Sequence, residues 1–317
     1  MRVIITGALG FIGQNLLKHM VEMNYYIIAI DDFHDRPITQ EEISRNAISF
    51  HYAIDYRDFD PLIDLSVDYI VHLGAISATN CWNLSEIYEK NLFFTQKIVK
   101  YSLEFNSHLI FASSASVYGN NYGKIALNEN LTPAPSNLYA WSKTQSEAHI
   151  LSSFKTGNPK FYILRFFNVW GPFEDHKGGM KSPVSNFSAQ AVSNSVIKLF
   201  DSYKQYSYLD YSRDFISVES VVYNIILILE NEISKSGIYN FGTGSSMSFW
   251  EIAQIVANEL DSSIELISFP ESISKHYQFN TLADITNATN VGFQLNHFDE
   301  NLSMRRFVNS FGTFTTE

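Results

Sequence analysis

Thiol chemistry is nearly absent from this chain: its 317 residues include one cysteine, Cys81. No disulfide can form within it, and a reducing compartment is expected. Cys81 itself is expected to be a buried, inert thiol. Positive charge is also scarce. Lys and Arg number 22 against 33 Asp and Glu, a formal net charge of -11. Bulk attraction to nucleic acid or to an anionic membrane is excluded, so an anionic ligand must be gripped locally, by helix ends or a few Lys and Arg. Long apolar runs are missing; none approaches the ~18 residues of a membrane span. The first residues lack the basic region and apolar run of a secretory signal, and a cytoplasmic protein is expected. There is no internal repeat or low-complexity tract, and no metal centre is expected.

What is present is a core. Hydrophobic residues make up 45% of the chain, enough for a packed globule of one large domain or two modest ones. Val3-Ile4-Ile5 reads as a strand, and Gln14 to Glu22 as a helix. Between them lie Gly7, Gly10 and Gly13. A second strand, Tyr26 to Ile30, closes on Asp31 and Asp32, with Asp31 falling 18 residues after Gly13. Glycines in this setting permit a tight turn and close backbone approach to a pyrophosphate, whose charge the helix N-terminus stabilises. The placement between strand and helix, with an acid beyond, makes the dinucleotide signal strong. Asp31 would accept from a ribose hydroxyl, which favours NAD. Arg36 lies close enough to receive a 2′-phosphate. NAD and NADP both stay open.

Residues 34–50 are polar and read as a loop. Asp55 and Tyr56 end a short strand where an adenine could lie. Tyr69 to Leu73 is another buried strand, ending in Gly74-Ala75-Ile76-Ser77, where small residues let the backbone pass close to a cofactor. His72 is read as a satisfied strand residue. Asn91 starts a helix-like segment running to Glu104, and its amide is read as a structural contact. His108 to Ala112 is the next strand and leads to the hydroxyl of Ser114. Hydroxyls at the carboxyl ends of parallel strands sit where ligands bind in open α/β sheets.

Pro133 and Pro135 mark a loop, after which Ser136 or Asn137 could cap a helix carrying Tyr139-Ala140-Trp141-Ser142-Lys143. Tyr139 and Lys143 are four apart, one helical turn on one face. An ammonium beside a phenol favours the phenolate and lowers its pKa from about 10. Such a phenol exchanges protons with an alcohol near neutral pH. Phe161 to Phe167 is a sixth buried strand, broken by Asn168 to Pro172. Thereafter the alternation weakens. The expected fold is α/β: a Rossmann-type doubly wound parallel sheet with a smaller C-terminal α/β substrate lobe. The expected domains are 1–168 and 169–317, with about 214–242 returning to the first.

These motifs in this order resemble the extended short-chain dehydrogenase/reductase superfamily, in particular its nucleotide-sugar epimerases and dehydratases. Within it the likeness is greatest to the ADP-glycero-manno-heptose 6-epimerases. It rests on Gly171-Pro172-Phe173-Glu174-Asp175-His176-Lys177-Gly178-Gly179-Met180, on Lys198-Leu199-Phe200, on Arg213-Asp214-Phe215, and on Ala283-Asp284-Ile285-Thr286-Asn287. The chain departs from that pattern at Ile38, where the family carries a lysine, at Asn186, which replaces a histidine, and in a longer, Tyr-rich stretch from Asp201 to Ser212.

The resemblance implies tightly bound NADP or NAD, whereas Asp31 and Asp32 favour NAD. Implied cofactor contacts are Gly7, Gly10, Phe11, Ile12, Gly13, Asp31, Asp32, Asp55, Tyr56, Leu73, Gly74, Ala75, Ser77, Asn91, Tyr139, Lys143, Val169 and Lys177. Implied substrate contacts are Ser114, Asn168, Gly179, Asn186, Phe200, Asp201, Arg213 and Tyr277. The implied reaction is epimerisation by transient oxidation of the sugar, with Tyr139 and Lys177 handling protons, Ser114 bonded to the reacting oxygen, and Lys143 binding ribose. Arg213 would grip the diphosphate bidentately. A homo-oligomer also fits the family. Two alternatives stand beside this reading. One is a UDP- or dTDP-sugar 4-epimerase or related reductase, which has no need of Lys177. The other is a non-catalytic, NAD(P)-sensing protein on the same fold. A 4,6-dehydratase is disfavoured, because no acid pair follows Ser114.

Overall fold

The computed structural model describes residues 1–313 apart from 22, 36, 47, 121–124, 156, 158 and 272–277. The strands are β1 (Arg2–Thr6), β2 (Tyr26–Asp31), β3 (Tyr52–Asp55), β4 (Tyr69–His72), β5 (His108–Ser114), β6 (Phe161–Phe166), β7 (Asn168–Trp170), β8 (Val196–Phe200), β9 (Ser212–Ser217), β10 (Gly237–Phe241), β11 (Ser246–Ser248) and β12 (Ser263–Ile267). The helices are α1 (Phe11–Met20), α2 (Gln40–Arg45), α3 (Leu84–Ile87), α4 (Phe94–Glu104), α5 (Leu138–Ser153), α6 (Pro183–Asn194), α7 (Val218–Leu229), α8 (Phe249–Glu259), α9 (Thr286–Asn290) and α10 (Glu300–Thr313). Among the described residues no helix is long and apolar enough to cross a membrane.

Two compact units share the chain. The first holds Met1–Val117, Pro135–Arg165 and Ile225–Tyr239; the second holds Tyr118–Ala134, Phe166–Asn224 and Asn240–Glu317. The first unit is built on a seven-stranded sheet in the order β3-β2-β1-β4-β5-β6-β10, whose last two strands end in residues of the second unit. The β1–β2, β2–β3, β1–β4 and β4–β5 pairs are parallel. Val3, Ile4 and Ile5 are wholly buried, as are Ile70 and Val71 on the neighbouring strand. Apolar runs of this kind, without alternation, belong to strands covered on both faces. One side is packed by α4 and α5: Phe94, Ile98 and Ile150 close over Ile4, Ile70, Leu109 and Ile163. The strand order reverses between β1 and β4, the switch point at which a ligand crevice opens beyond the carboxyl ends of the strands. The doubly wound parallel sheet expected from the sequence is the observed one.

Local differences have local causes. Residues 34–50 are not all loop, because α2 forms there. Thr39 accepts from the Glu42 N–H at 3.2 Å, while the Glu42 carboxylate accepts from the Thr39 N–H at 2.9 Å, a reciprocal cap. The helix expected from Asn91 is preceded by α3 and a π-helical turn, Tyr88–Phe93, that contains Asn91. Cys81 is partly exposed rather than buried.

The second unit carries a three-stranded sheet, β11-β9-β7, and a parallel pair, β12-β8. Its core joins Trp170, Val184, Phe215, Ile252, Val256, Met304 and Val308. Buried Asp214 fastens two loops to β9, accepting from the N–H groups of Thr243, Gly244 and Ala283 at 2.6, 2.9 and 3.0 Å.

Candidate active site

The turn from β1 into α1 requires glycine. Gly7 has φ +66°, and a Cβ there would lie 2.6 Å from the Gly74 nitrogen; at Gly13 it would lie 2.1 Å from the Gly7 carbonyl oxygen. Gly10, by contrast, faces open space beyond a 3.1 Å approach to the same carbonyl. It is also the N-cap of α1, with no side-chain cap and no acid in the first turn. A helix start built this way is ready for an anion, and the loop fits a dinucleotide pyrophosphate. Phe11 and Ile12 open that helix.

At the carboxyl end of β2, Asp31 is held in place by the N–H groups of Leu9 and Asp32, at 2.7 and 2.8 Å. Each oxygen keeps a lone pair for a further donor. Asp32 accepts from Arg57 at 2.6 Å and from Lys90 at 3.3 Å. Arg57 also pairs with Asp55 at 2.8 Å and Asp35 at 3.2 Å, which holds the Asp55 carboxyl far below the usual carboxylate range. The Tyr56 ring packs edge-on against Phe94. Arg36, the alternative phosphate ligand, lies outside the described residues.

The β4 end is fixed by Leu73 N–H to the Thr6 carbonyl at 3.1 Å and Gly74 N–H to the Thr6 hydroxyl at 3.0 Å. Ser77 is exposed further along the same turn, past half-buried Ala75. His72 is what its strand position suggested. Both ring nitrogens are hydrogen-bonded, to the Thr6 hydroxyl at 2.6 Å and the Thr95 hydroxyl at 2.9 Å, and burial pulls it down to about 3. Asn91 accepts from the Ile76 N–H at 2.8 Å and donates to the Ile76 carbonyl and the Ser142 hydroxyl, at 3.1 and 3.0 Å. It therefore clamps the β4 turn to α5, the helix that carries Tyr139.

Asn137, not Ser136, caps α5, accepting from the Ala140 N–H at 2.8 Å. In the first turn of α5, the phenol of Tyr139 lies beside the Ser114 side chain. The Ser114 oxygen accepts from the Ser116 N–H at 3.2 Å and the Ser116 hydroxyl at 2.9 Å, so its own hydrogen is left for the phenol or a ligand oxygen. Lys143 is buried, its Nζ 5.9 Å from the Tyr139 ring centre and donating to the Ala112 carbonyl at 2.7 Å. Here the electrostatic expectation is corrected. The Tyr139 phenol is pushed up, not down: burial dominates, and the neighbouring Ser114 hydroxyl only opposes it. Burial also brings Lys143 down to about 7, against the pull of Glu147. Such a lysine lends its neighbour less positive charge than an exposed one would.

The remaining expected residues belong to the second unit, except Tyr277, which lies outside the described residues. Asn168 and Val169 are in β7, paired with Phe215 and Ile216. Lys177 donates to Glu174 at 2.9 Å. Gly179 has open space at its Cβ position. Asn186 donates to the Lys181 carbonyl at 2.9 Å. Phe200 packs edge-on against Phe269, and Asp201 is exposed. Arg213 is buried, its guanidinium 5.5 Å from the Phe249 ring centre and donating to the Ser212 carbonyl at 3.2 Å. Sequence reasoning missed Ser116, Glu147 and the Glu174 carboxylate as supports. For Ser116 the signal was present in the Ser114-x-Ser116 spacing; for the acids, burial alone reveals them.

A doubly wound sheet with a hydroxyl, phenol and amine gathered at the end of β5 defines a nicotinamide-dependent protein of the short-chain dehydrogenase/reductase type. The chain belongs to the NAD dependent epimerase/dehydratase family, whose model matches residues 3–242. Over 316 residues it is 32% identical to the ADP-L-glycero-D-manno-heptose-6-epimerase of Brachyspira hyodysenteriae, covering 96% of each chain. The solved ADP-L-glycero-D-manno-heptose-6-epimerase of Helicobacter pylori superposes with a TM-score of 0.80 at 26% identity, over 98% of this chain and 96% of that one. The UDP-N-acetylglucosamine 4-epimerase of Methanobrevibacter ruminantium superposes with a TM-score of 0.83, over 99% of each chain. At 22% identity this last likeness concerns the fold alone. Family membership sets the coenzyme class as NAD(P).

Proposed function

We propose that the protein is a nucleotide-sugar epimerase acting on ADP-glycero-manno-heptose at the exocyclic C6, with tightly held NAD. The observation that carries this is the Tyr139 phenol beside Ser114 with buried Lys143 one turn on, together with heptose epimerases among the relatives. When bound, a nicotinamide coenzyme would supply reversible hydride transfer with the sugar carbon, the chemistry that inversion there requires. Tyr139 exchanges the proton of the reacting sugar oxygen, and Ser114 orients that oxygen. Lys143 binds the nicotinamide ribose. Lys177 handles the proton when the opposite face is presented. Arg213 and Asn168 hold the diphosphate and sugar, with Gly179, Asn186, Phe200, Asp201 and Tyr277 completing the pocket. Gly7, Gly10, Gly13, Phe11 and Ile12 cradle the pyrophosphate.

The charge around Asp31 supports NAD rather than NADP. Asp31 keeps acceptor capacity for ribose hydroxyls, and the described cations nearby, Arg57 and Lys90, are neutralised by Asp32, Asp35, Asp55 and Glu86. A 2′-phosphate would meet acids. A cytoplasmic homo-oligomer belongs to the same reading, supported by Trp82, Leu84, Tyr88 and Phe93, four large side chains about half exposed or more within twelve residues.

The test is Tyr139→Phe and Lys177→Met, each assayed for interconversion of the two ADP-heptose epimers and, as controls, of UDP-sugar 4-epimers. Losses of about 10²-fold or more in kcat are expected for each on the heptose. Wild-type rates in both would sink the two-base assignment. Turnover of UDP-sugars alone would replace the substrate.

A further inference from the structure

Five donors converge on the carboxylate of Glu174, which is 3% exposed. Its Oε1 accepts from the Gly171 N–H at 3.3 Å, the Ser182 hydroxyl at 2.7 Å and the Ser185 hydroxyl at 2.8 Å. Its Oε2 accepts from the Ser182 N–H at 2.7 Å and the Lys177 ammonium at 2.9 Å. Four of the five donors are neutral, and they come from the segment after β7 and the first turn of α6. They fix the carboxylate whether or not Lys177 is there. The fifth is a charge.

A bland role is available, because the acid ties a loop to a helix start. That role does not need a glutamate. Ser182 already caps α6 by accepting from the Ser185 N–H at 3.2 Å, and Pro183 occupies the first turn. Lys177 itself sits in a short 3₁₀ turn, its N–H donating to the Glu174 carbonyl at 2.9 Å. Gly178 and Gly179 follow it, and an added Cβ at either would have no atom within 4 Å. At the far end of the Lys177 side chain, which is 20% exposed, the ammonium makes a charge-assisted hydrogen bond to this fixed acceptor.

We infer that Glu174 is the positioning residue for Lys177, presenting the ammonium to the reacting sugar oxygen from one fixed place. This rests on the reading of Lys177 given above. One proton moves, between Lys177 Nζ and the sugar oxygen; Glu174 orients the donor and carries no proton itself. Misplacement of a reacting group by about 1 Å can cost ~10²-fold, so the effect belongs in kcat rather than KM.

The experiment is a double-mutant cycle on the full-length holoenzyme: wild type, Glu174→Gln, Lys177→Met and the double variant, with kcat and KM for the heptose epimers and the melting temperature of each. Glu174→Gln is expected to lower kcat at least about 10-fold, with KM within about 3-fold, and to cost nothing further once Lys177 is methionine. The same factor lost in both backgrounds means a structural tie and overturns the inference. Should Glu174→Gln fail to fold, Ser185→Ala loosens the same carboxylate. The cycle is then repeated with it, and an effect on kcat confined to the Lys177 background is required. Lys177→Met at full wild-type kcat is a separate outcome: it removes the second proton carrier, and this inference falls with it.

Discussion

Glu147 on α5 and Arg165 on β6 form a buried bidentate ion pair, Nε to Oε1 at 3.0 Å and a terminal nitrogen to Oε2 at 2.7 Å. Their side chains are 4% and 3% exposed. The Ser113 hydroxyl donates to the same carboxylate, so α5, the end of β5 and β6 are tied at one point, a single helical turn past Lys143. The pair thus sets where the phenol and the amine stand. Removing one charge strands the other in the core, at a cost of about 3–5 kcal/mol. Glu147→Gln is expected to lower the urea-unfolding stability of the coenzyme-free protein by that amount. Replacing both partners, Glu147→Leu with Arg165→Met, is expected to recover most of it. A loss below about 1 kcal/mol in the single variant would show that the arginine finds water.

Much of this arrangement is legible in the sequence, and the reason is physical. Val3-Ile4-Ile5, Tyr69-Ile70-Val71 and Phe161-Tyr162-Ile163-Leu164 announce doubly covered strands because nothing polar interrupts them. The glycines announce the loop because two backbone segments nearly touch there. What stayed hidden depends on partners far apart in the chain. Glu147 carries no local sign of Arg165, its partner 18 residues away. The Tyr139 phenol was expected to be lowered by its neighbour along the helix, yet the depth of burial governs both groups, and depth is not a local property. Residues 34–50 are a different case: Thr39-x-x-Glu42 is a helix-start signal that the polarity of the stretch masked.

Lys143 has a consequence for pH. Its folded-state value, about 7, lies below the ~10.4 of an exposed lysine. Between these values the unfolded chain binds more protons than the folded one, so stability rises with pH. Below about 7 both states are protonated and the burial of the charge weighs fully against folding. Unfolding of coenzyme-free wild type and Lys143→Met, compared from pH 6 to 9, should give a wild-type-minus-variant difference that climbs with pH. A flat difference would mean that the amine keeps its ordinary proton affinity.

Coenzyme choice is testable at Asp32. With Arg57 and Lys90 both bound to it, the described cations are withheld from a 2′-phosphate. Nucleotide released from the denatured wild type should be NAD by mass. Asp32→Asn leaves Arg57 on Asp55 and Asp35 and Lys90 on Glu86, and removes one like charge. NADP affinity should then rise by about 5-fold while NAD changes by less than about 2-fold, as a surface charge removal of roughly 1 kcal/mol implies. NADP released from wild type would reverse the assignment.

The three glycines of the β1–α1 turn are expected to fail in different ways. A methyl on Gly13 would sit 2.1 Å from the Gly7 carbonyl oxygen, and one on Gly7 2.6 Å from the Gly74 nitrogen. In both cases the obstacle is backbone, which cannot step aside, and Gly7 adds the strain of φ +66°. Gly7→Ala and Gly13→Ala should therefore lower stability by several kcal/mol even without coenzyme. Gly10→Ala differs. Its Cβ meets the Gly7 carbonyl oxygen at 3.1 Å and otherwise points into open space, at the place where a pyrophosphate must come close to the backbone. The variant should melt within a few degrees of the coenzyme-free wild type yet bind NAD at least about 10-fold more weakly by titration calorimetry, because the methyl holds the phosphates off the helix start. Equal NAD affinity in Gly10→Ala and wild type would mean that the coenzyme does not approach this turn.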